Sequence, residues 1–197
     1  MPVINIKEKK KSLRARFKKL RESCPKDVKQ RLDGELTERF LSLEEYKNCK
    51  TLFAFLSMPI ECDTHRIIEQ AFADGKIVAV PKCINKGGDM AFYYIQSFDD
   101  LVSGMYGILE PDENKCEKVT DFSEGLCIVP GLCFDLQRYR IGFGKGYYDR
   151  FLNDFKGVTV GICFTKYMVS ELPRGAHDRN TDILVTEKFV GRKGEAE

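Results

Sequence analysis

Thr51-Leu-Phe-Ala-Phe-Leu-Ser57 and Lys76-Ile-Val-Ala-Val-Pro81 bracket the stretch whose reading decides the fold. Each is a short, almost wholly apolar run of the kind that a sheet buries on both faces, so the first is expected to be a central strand. Between them, Met58-Pro-Ile-Glu-Cys-Asp-Thr64 reads as a loop, and Thr64 as the cap of a helix carrying Ile67, Ile68, Ala71 and Phe72, stopped by Gly75. Strand, loop, helix and strand in that order make a βαβ unit and hence a parallel sheet.

Outward from this unit, Met90-Ala-Phe-Tyr-Tyr-Ile95 predicts a further strand, and the segment from Leu101 to Pro111 reads as irregular. Gly125-Leu-Cys-Ile-Val129, a helix from Tyr147 to Phe155 and Val158-Thr-Val-Gly-Ile-Cys-Phe164 predict a second βαβ unit, with Ile183-Leu-Val-Thr186 as the last strand. At the other end, Ser12 is expected to cap a helix running to about Ser23, with Leu13, Phe17 and Leu20 as its apolar stripe and Lys10, Lys11, Arg14 and Lys18 pointing elsewhere. Pro25 starts a second helix lined by Val28, Leu32, Leu36, Phe40 and Leu43. The expected fold class is α/β: one domain over residues 1–197, a mostly parallel sheet with helices on both faces and an N-terminal helical hairpin.

Composition is that of an ordinary soluble chain, with 43% apolar and 31% charged residues. No run of eighteen apolar residues suggests a membrane span, and no apolar signal core opens the chain, so a cytoplasmic location is expected. Eight cysteines form no Cys-x-x-Cys pair, and His65 and His177 are far apart, which argues against structural zinc. Cys127, Cys133 and Cys163 read as buried free thiols. The net charge is only +2, yet residues 7–31 hold twelve Lys or Arg against three acids. Such a run suits a polyanion or is simply a solvated helix face.

The segment Arg138-Tyr-Arg-Ile-Gly-Phe-Gly-Lys-Gly-Tyr-Tyr-Asp-Arg150 carries the chemistry. Gly142, Gly144 and Gly146 let backbone approach a ligand, Lys145 supplies a cation, and a helix N-terminus follows, a combination suited to phosphate. It matches neither a Walker A loop nor a dinucleotide fingerprint. Because ligands bind outside the carboxyl ends of parallel strands, three strand ends are expected to gather Glu61, Asp135, Lys145, Asp149 and Asp178. Cations beside carboxylates suggest a nucleotide phosphate with Mg2+.

These motifs, in this order, resemble the 5-formyltetrahydrofolate cyclo-ligase family. The matching pieces are Lys10-Lys-Ser-Leu-Arg14, Phe55-Leu-Ser-Met58 with Glu61 and Thr64, Tyr106-Gly-Ile-Leu-Glu-Pro111 and Val129-Pro-Gly-Leu-Cys-Phe-Asp135. Arg140-x-Gly-x-Gly-x-Gly-Tyr-Tyr-Asp-Arg150, Leu172-Pro173, His177-Asp178, Asp182 and Thr186-Glu187 continue it. The resemblance implies a three-layer sheet domain similar to sugar-phosphate isomerases and CoA transferases. It implies ATP- and Mg2+-dependent conversion of 5-formyltetrahydrofolate to 5,10-methenyltetrahydrofolate, releasing ADP and phosphate. The expected partner is that small molecule, without nucleic acid or membrane, and the expected state is a monomer.

By position, the resemblance places Lys10, Lys11, Ser12, Leu13 and Arg14 on ATP, together with Arg140, Gly142, Gly144, Lys145, Gly146, Tyr147 and Tyr148. Lys145 and Arg140 take the catalytic role, and Asp149 and Asp178 hold Mg2+. Leu56, Met58, Glu61 and Tyr148 line the folate site. Tyr167 stands where the family usually has Gln, and Phe143 where some members carry Arg, while Cys133 replaces a smaller residue. An RNA-binding relative without catalysis and a sugar-phosphate isomerase on the same architecture are the alternative readings.

Overall fold

A computed structural model describes residues 5–85, 87–104, 107–176 and 178–194. Helix α1 (Ile6–Glu22) begins at Asn5, whose side chain accepts the Lys7 N–H, and not at Ser12. Residues 6–11 are good helix formers without a breaker, so the helix extends back to an earlier capping side chain. Helix α2 (Lys26–Leu41) takes Pro25 as its N-cap and buries Leu32, Leu36 and Phe40. Leu43 is buried too, but as the N-cap of a short helix, α3 (Glu44–Asn48), that the pattern did not reveal.

Strand β1 (Thr51–Phe53) leads through a loop into α4 (His65–Ala73), β2 (Ile77–Cys83) and β3 (Met90–Ile95). The regular strand ends earlier than the apolar run, although Ala54 N–H still reaches the Ala79 carbonyl at 2.9 Å. The segment read as irregular is a hairpin, β4 (Leu101–Ser103) with β5 (Leu109–Pro111). Its strands are three residues long, too short for an alternating pattern to register. Tyr106 lies outside the described residues. The chain continues through β6 (Leu126–Val129), β7 (Cys133–Asp135), β8 (Arg140–Ile141), α5 (Tyr147–Asp154), β9 (Val158–Ile162), β10 (Met168–Val169), β11 (Ile183–Val185) and β12 (Val190–Arg192). The last of these, antiparallel to β11, follows the strand expected to close the fold.

Seven strands form the main sheet in the order β12-β11-β9-β6-β1-β2-β3. The inner five are parallel and the two edges antiparallel. Alternation along the strands sorts the core into two layers. Leu52, Val78, Val80, Leu126 and Ile128 pack with α1, α2 and α4, whereas Phe53, Ala79, Cys127 and Val129 pack with Phe151 and Phe155 at α5. Both βαβ units are therefore present, with β1 and β6 adjacent at the centre. The loops after β1, β6 and β9 leave from the carboxyl end of the sheet. All eight cysteines are free, with Cys127, Cys133 and Cys163 fully buried. No helix among the described residues is long and apolar enough to cross a membrane.

Candidate active site

A cavity of about 540 Å³ opens where those loops meet α1 and the β4–β5 hairpin. That volume suits a small-molecule site. Its basic end is assembled from three separate segments. Lys10 pairs with Asp178, and Arg14 Nε donates to the Gly142 carbonyl at 3.1 Å. The guanidinium of Arg140, only 5% exposed, holds Asp149 at 2.7 Å and the Arg179 carbonyl at 2.7 Å.

Lys10 and Arg14 are thus on the packed face of α1 with Phe17 and Arg21, one or two turns apart, while Leu20 is 40% exposed. The expected stripe was rotated, because the long stems of Lys and Arg pack as apolar surface and carry their charges into the cavity. Lys11 and Ser12 are exposed and lie outside the lining, and Leu13 packs against the core.

The glycine loop has a defined reason for its composition at two places. Gly144 sits at φ +97°, and a Cβ there would stand 3.0 Å from Arg14 Nε, so a larger residue would displace the cation. Gly146, at φ +73°, is the left-handed N-cap of α5. Arg150 fastens the loop by donating to the Lys145 carbonyl at 2.7 Å and to Gly87 and Gly88 across the cleft. Gly142, Lys145 and Phe143 also line the cavity, Phe143 with 43% of its surface exposed.

The other end is apolar and surrounds buried acid. Leu56, Met58 and Ile60 line it with Glu61, which is 5% exposed. Glu61 Oε2 accepts the Met58 N–H at 2.9 Å. Burial pushes the Glu61 carboxyl up from the usual carboxylate range, only partly offset by that hydrogen bond and by the positive charges of Arg21 and Lys29. The turn is anchored from below: Lys29 pairs with Asp33 at 2.6 Å, and Asp33 accepts the Asp63 N–H at 2.9 Å. Thr64 does not cap α4 with its side chain. Its hydroxyl donates to the Phe55 carbonyl at 2.6 Å, and Asp63 accepts the His65 N–H instead.

Two tyrosines join the ends. Tyr147 donates its hydroxyl to the Asn85 carbonyl at 2.8 Å. Tyr148 lines the cavity with a buried hydroxyl that has no partner among the described residues. Burial raises its pKa, with Cys127 and Glu61 adding to the effect and Arg140 opposing it. Such a buried donor invites a ligand acceptor.

Asp135 is the expected site carboxylate that the structure does not bring to the cavity. It is fully buried, because donors from two segments, Gln137 and Tyr139 on one and Leu172 and Arg174 on the other, converge on it. His177 lies outside the described residues. Two residues were missed. Glu110, 5% exposed, lines the cavity and accepts the Cys83 N–H at 3.1 Å; an acid inside the apolar Ile108–Pro111 run was the available signal. Arg21, 3% exposed, donates to the carbonyls of Leu132 at 2.8 Å, Gly131 at 2.9 Å and Ile60 at 3.1 Å. Its guanidinium lies 4.6 Å from the Tyr167 ring centroid, so the tyrosine at that departure from the family pattern has a packing role.

Comparison with known proteins supplies the family. The model of the 5-formyltetrahydrofolate cyclo-ligase family matches residues 6–187. A probable 5-formyltetrahydrofolate cyclo-ligase of Schizosaccharomyces pombe is 31% identical over 80% of this chain and 84% of its own. The 5-formyltetrahydrofolate cyclo-ligase of Mus musculus is 27% identical over 95% and 98%. The solved structure of Aquifex aeolicus 5,10-methenyltetrahydrofolate synthetase superposes with a TM-score of 0.82 at 33% identity, covering 95% of this chain and 94% of that one. With a family match over nearly its whole length and a shared fold, the chain belongs to the 5-formyltetrahydrofolate cyclo-ligase family.

Proposed function

We propose that the chain converts 5-formyltetrahydrofolate to 5,10-methenyltetrahydrofolate at the expense of ATP, with Mg2+, releasing ADP and phosphate. The observation that carries this reading is one cavity with two chemically opposed ends. A rim of cations and glycine backbone suits a polyanion, and an apolar wall with the buried carboxylates of Glu61 and Glu110 suits a flat heterocycle with N–H donors. The formyl group on N5 is an amide whose oxygen is a poor leaving group. When bound, ATP supplies the phosphoryl group that makes this oxygen a leaving group for ring closure by N10, and Mg2+ offsets the phosphate charge.

The residues present fit both groups. Two carboxylates, Asp149 and Asp178, match the sparse protein ligation that Mg2+ shares with phosphate oxygens. Lys145 and Arg140 offset charge on the transferring phosphoryl group, a role supported by their position in the cavity lining with Lys10, Arg14, Gly144 and Gly146. Glu61 accepts from the amino-pyrimidinone edge of the pterin, and Leu56, Met58 and Tyr148 hold its faces. The unmet Tyr148 hydroxyl donates to an acceptor near the junction of the two ligands. Holding both in one cavity provides the alignment that the reaction needs.

An RNA-binding role is less well supported, since Lys10 and Arg14 turn into the cavity, not outward. The test is the spectrophotometric appearance of the methenyl product from 5-formyltetrahydrofolate. Product is expected only with ATP and Mg2+ together; equal turnover in excess chelator removes the metal from the reading, and no product removes the reading.

A further inference from the structure

Asp135 was expected in the cavity and lies beneath it. Its Oδ1 accepts the Gln137 and Tyr139 N–H groups, both at 3.0 Å. This closes the turn in which Arg138 adopts φ +66°, the left-handed region that a non-glycine residue occupies only when its surroundings hold it there. The turn delivers Arg140, the partner of Asp149. The other oxygen, Oδ2, accepts the Leu172 N–H at 3.0 Å and Arg174 Nη2 at 3.3 Å. Arg174 also stacks on Tyr139, 4.2 Å from the ring centroid. That second segment delivers Asp178, the partner of Lys10. One carboxylate with no exposed surface therefore ties together two segments, each of which carries one member of a cation–carboxylate pair of the basic end, Arg140 on one and Asp178 on the other.

We propose that Asp135 is a positioning residue for nucleotide and metal binding, acting by fixing the Arg140–Asp149 pair relative to the Lys10–Asp178 pair. The proposal rests on the assignment of the basic end to nucleotide phosphate. It assigns Asp135 no contact with any ligand. In Asp135→Asn, whichever way the amide sits, one of the two segments loses its acceptor while the shape is kept.

Two measurements on the full chain test it. In hydrogen exchange without ligand, Asp135→Asn is expected to speed exchange in residues 137–141 or 172–179 and to leave residues 58–64 as they were. In calorimetry with Mg2+ and a non-hydrolysable ATP analogue, affinity is expected to fall about 10-fold or more, the lower end of the range for losing a partner that orients a metal ligand directly. Affinity for 5-formyltetrahydrofolate is expected to stay within about two-fold, the scatter expected where a distant site is not coupled. In a Lys10→Ala background the same substitution is expected to cost less, since both act through Asp178.

Equal losses for both ligands, unchanged analogue affinity or strict additivity with Lys10→Ala would overturn the proposal. If Asp135→Asn does not fold, Arg174→Gln decides: about a three-fold or greater selective loss of analogue affinity supports it, and none overturns it. Absence of methenyl product from a wild-type chain that binds the analogue would sink the proposed reaction and leave this inference standing.

Discussion

Glu61 and Asp149 line the same cavity, and their surroundings differ in kind. Glu61 is 5% exposed, accepts one backbone N–H and forms no ion pair among the described residues. Asp149 is held at 2.7 Å by Arg140, and Asp178 is likewise held by Lys10. A lone carboxylate under desolvation gains most from neutral N–H donors brought by a ligand, while carboxylates already paired with cations form a site near local neutrality, able to take a metal together with a polyanion. The two ends also differ in how they are built. The Glu61 loop is a short connection inside one βαβ unit. The basic end draws on α1, the long connection between β6 and α5, and the segment after β9.

The comparison breaks most readily at Glu61. Glu61→Gln is expected to cost about 2–5 kcal/mol in affinity for 5-formyltetrahydrofolate, the range for removing one member of a buried charged hydrogen bond, with nucleotide affinity nearly unchanged. Calorimetry showing intact folate affinity would take Glu61 out of the substrate site.

An effect of comparable size for the pair, and smaller for each residue, is expected at the other end. Lys10→Ala/Arg14→Ala removes two charged hydrogen bonds, of the order of 1.5–3 kcal/mol for each that reaches phosphate, and should raise the KM for ATP while folate affinity holds. Lys26→Ala/Arg31→Ala, on α2 and away from the cavity, is the control and should change neither constant. Lys29 is unsuitable for that purpose, because its pair with Asp33 supports the Glu61 turn. Identical ATP titrations for the two double variants would dissolve the distinction between the cavity face of α1 and the rest of the basic run.

The smallest expected effect sharpens the comparison through pH. Glu61 has its pKa raised by burial, so the folded state binds more protons than the unfolded state between the ordinary carboxylate value and the raised one. Stability of the ligand-free protein therefore falls as pH rises through that window, and the cost is fully in force above it. Glu61→Gln should raise the melting temperature at neutral pH, with the gain vanishing below the ordinary carboxylate range. Substrate affinity should move the opposite way, weakening as pH drops through the same window. Parallel trends of melting temperature and affinity would contradict a carboxylate kept ionised for the ligand.

Apolar periodicity and strong breakers made most of the sheet legible in advance. The runs at residues 51–57, 76–81, 125–129 and 158–164 became β1, β2, β6 and β9, with Gly75 closing α4 at φ +70°. What escaped was short or capped by competition among several polar side chains: α3, the β4–β5 hairpin, the Asn5 cap and the hydroxyl of Thr64. At the site, the glycine loop with Lys145, Asp149 and the Glu61 turn could be read from residue type and from position at strand ends. Glu110 left only the faint signal of an acid in an apolar run and Arg21 left none, since a single charged residue in a basic helix does not disclose which face of its element will be buried.

By itself the sequence determined the local states of the chain and the chemical inventory of its loops, because backbone propensity and apolar spacing act over a few residues. Only the tertiary structure decided which charges meet. Lys10 and Asp178 are 168 residues apart, and their pairing depends on the sheet order that sets the β9 exit beside α1. The same packing decided that Asp135 is buried as a tie while Asp149 lines the cavity, since burial is a property of what surrounds a side chain and not of the side chain.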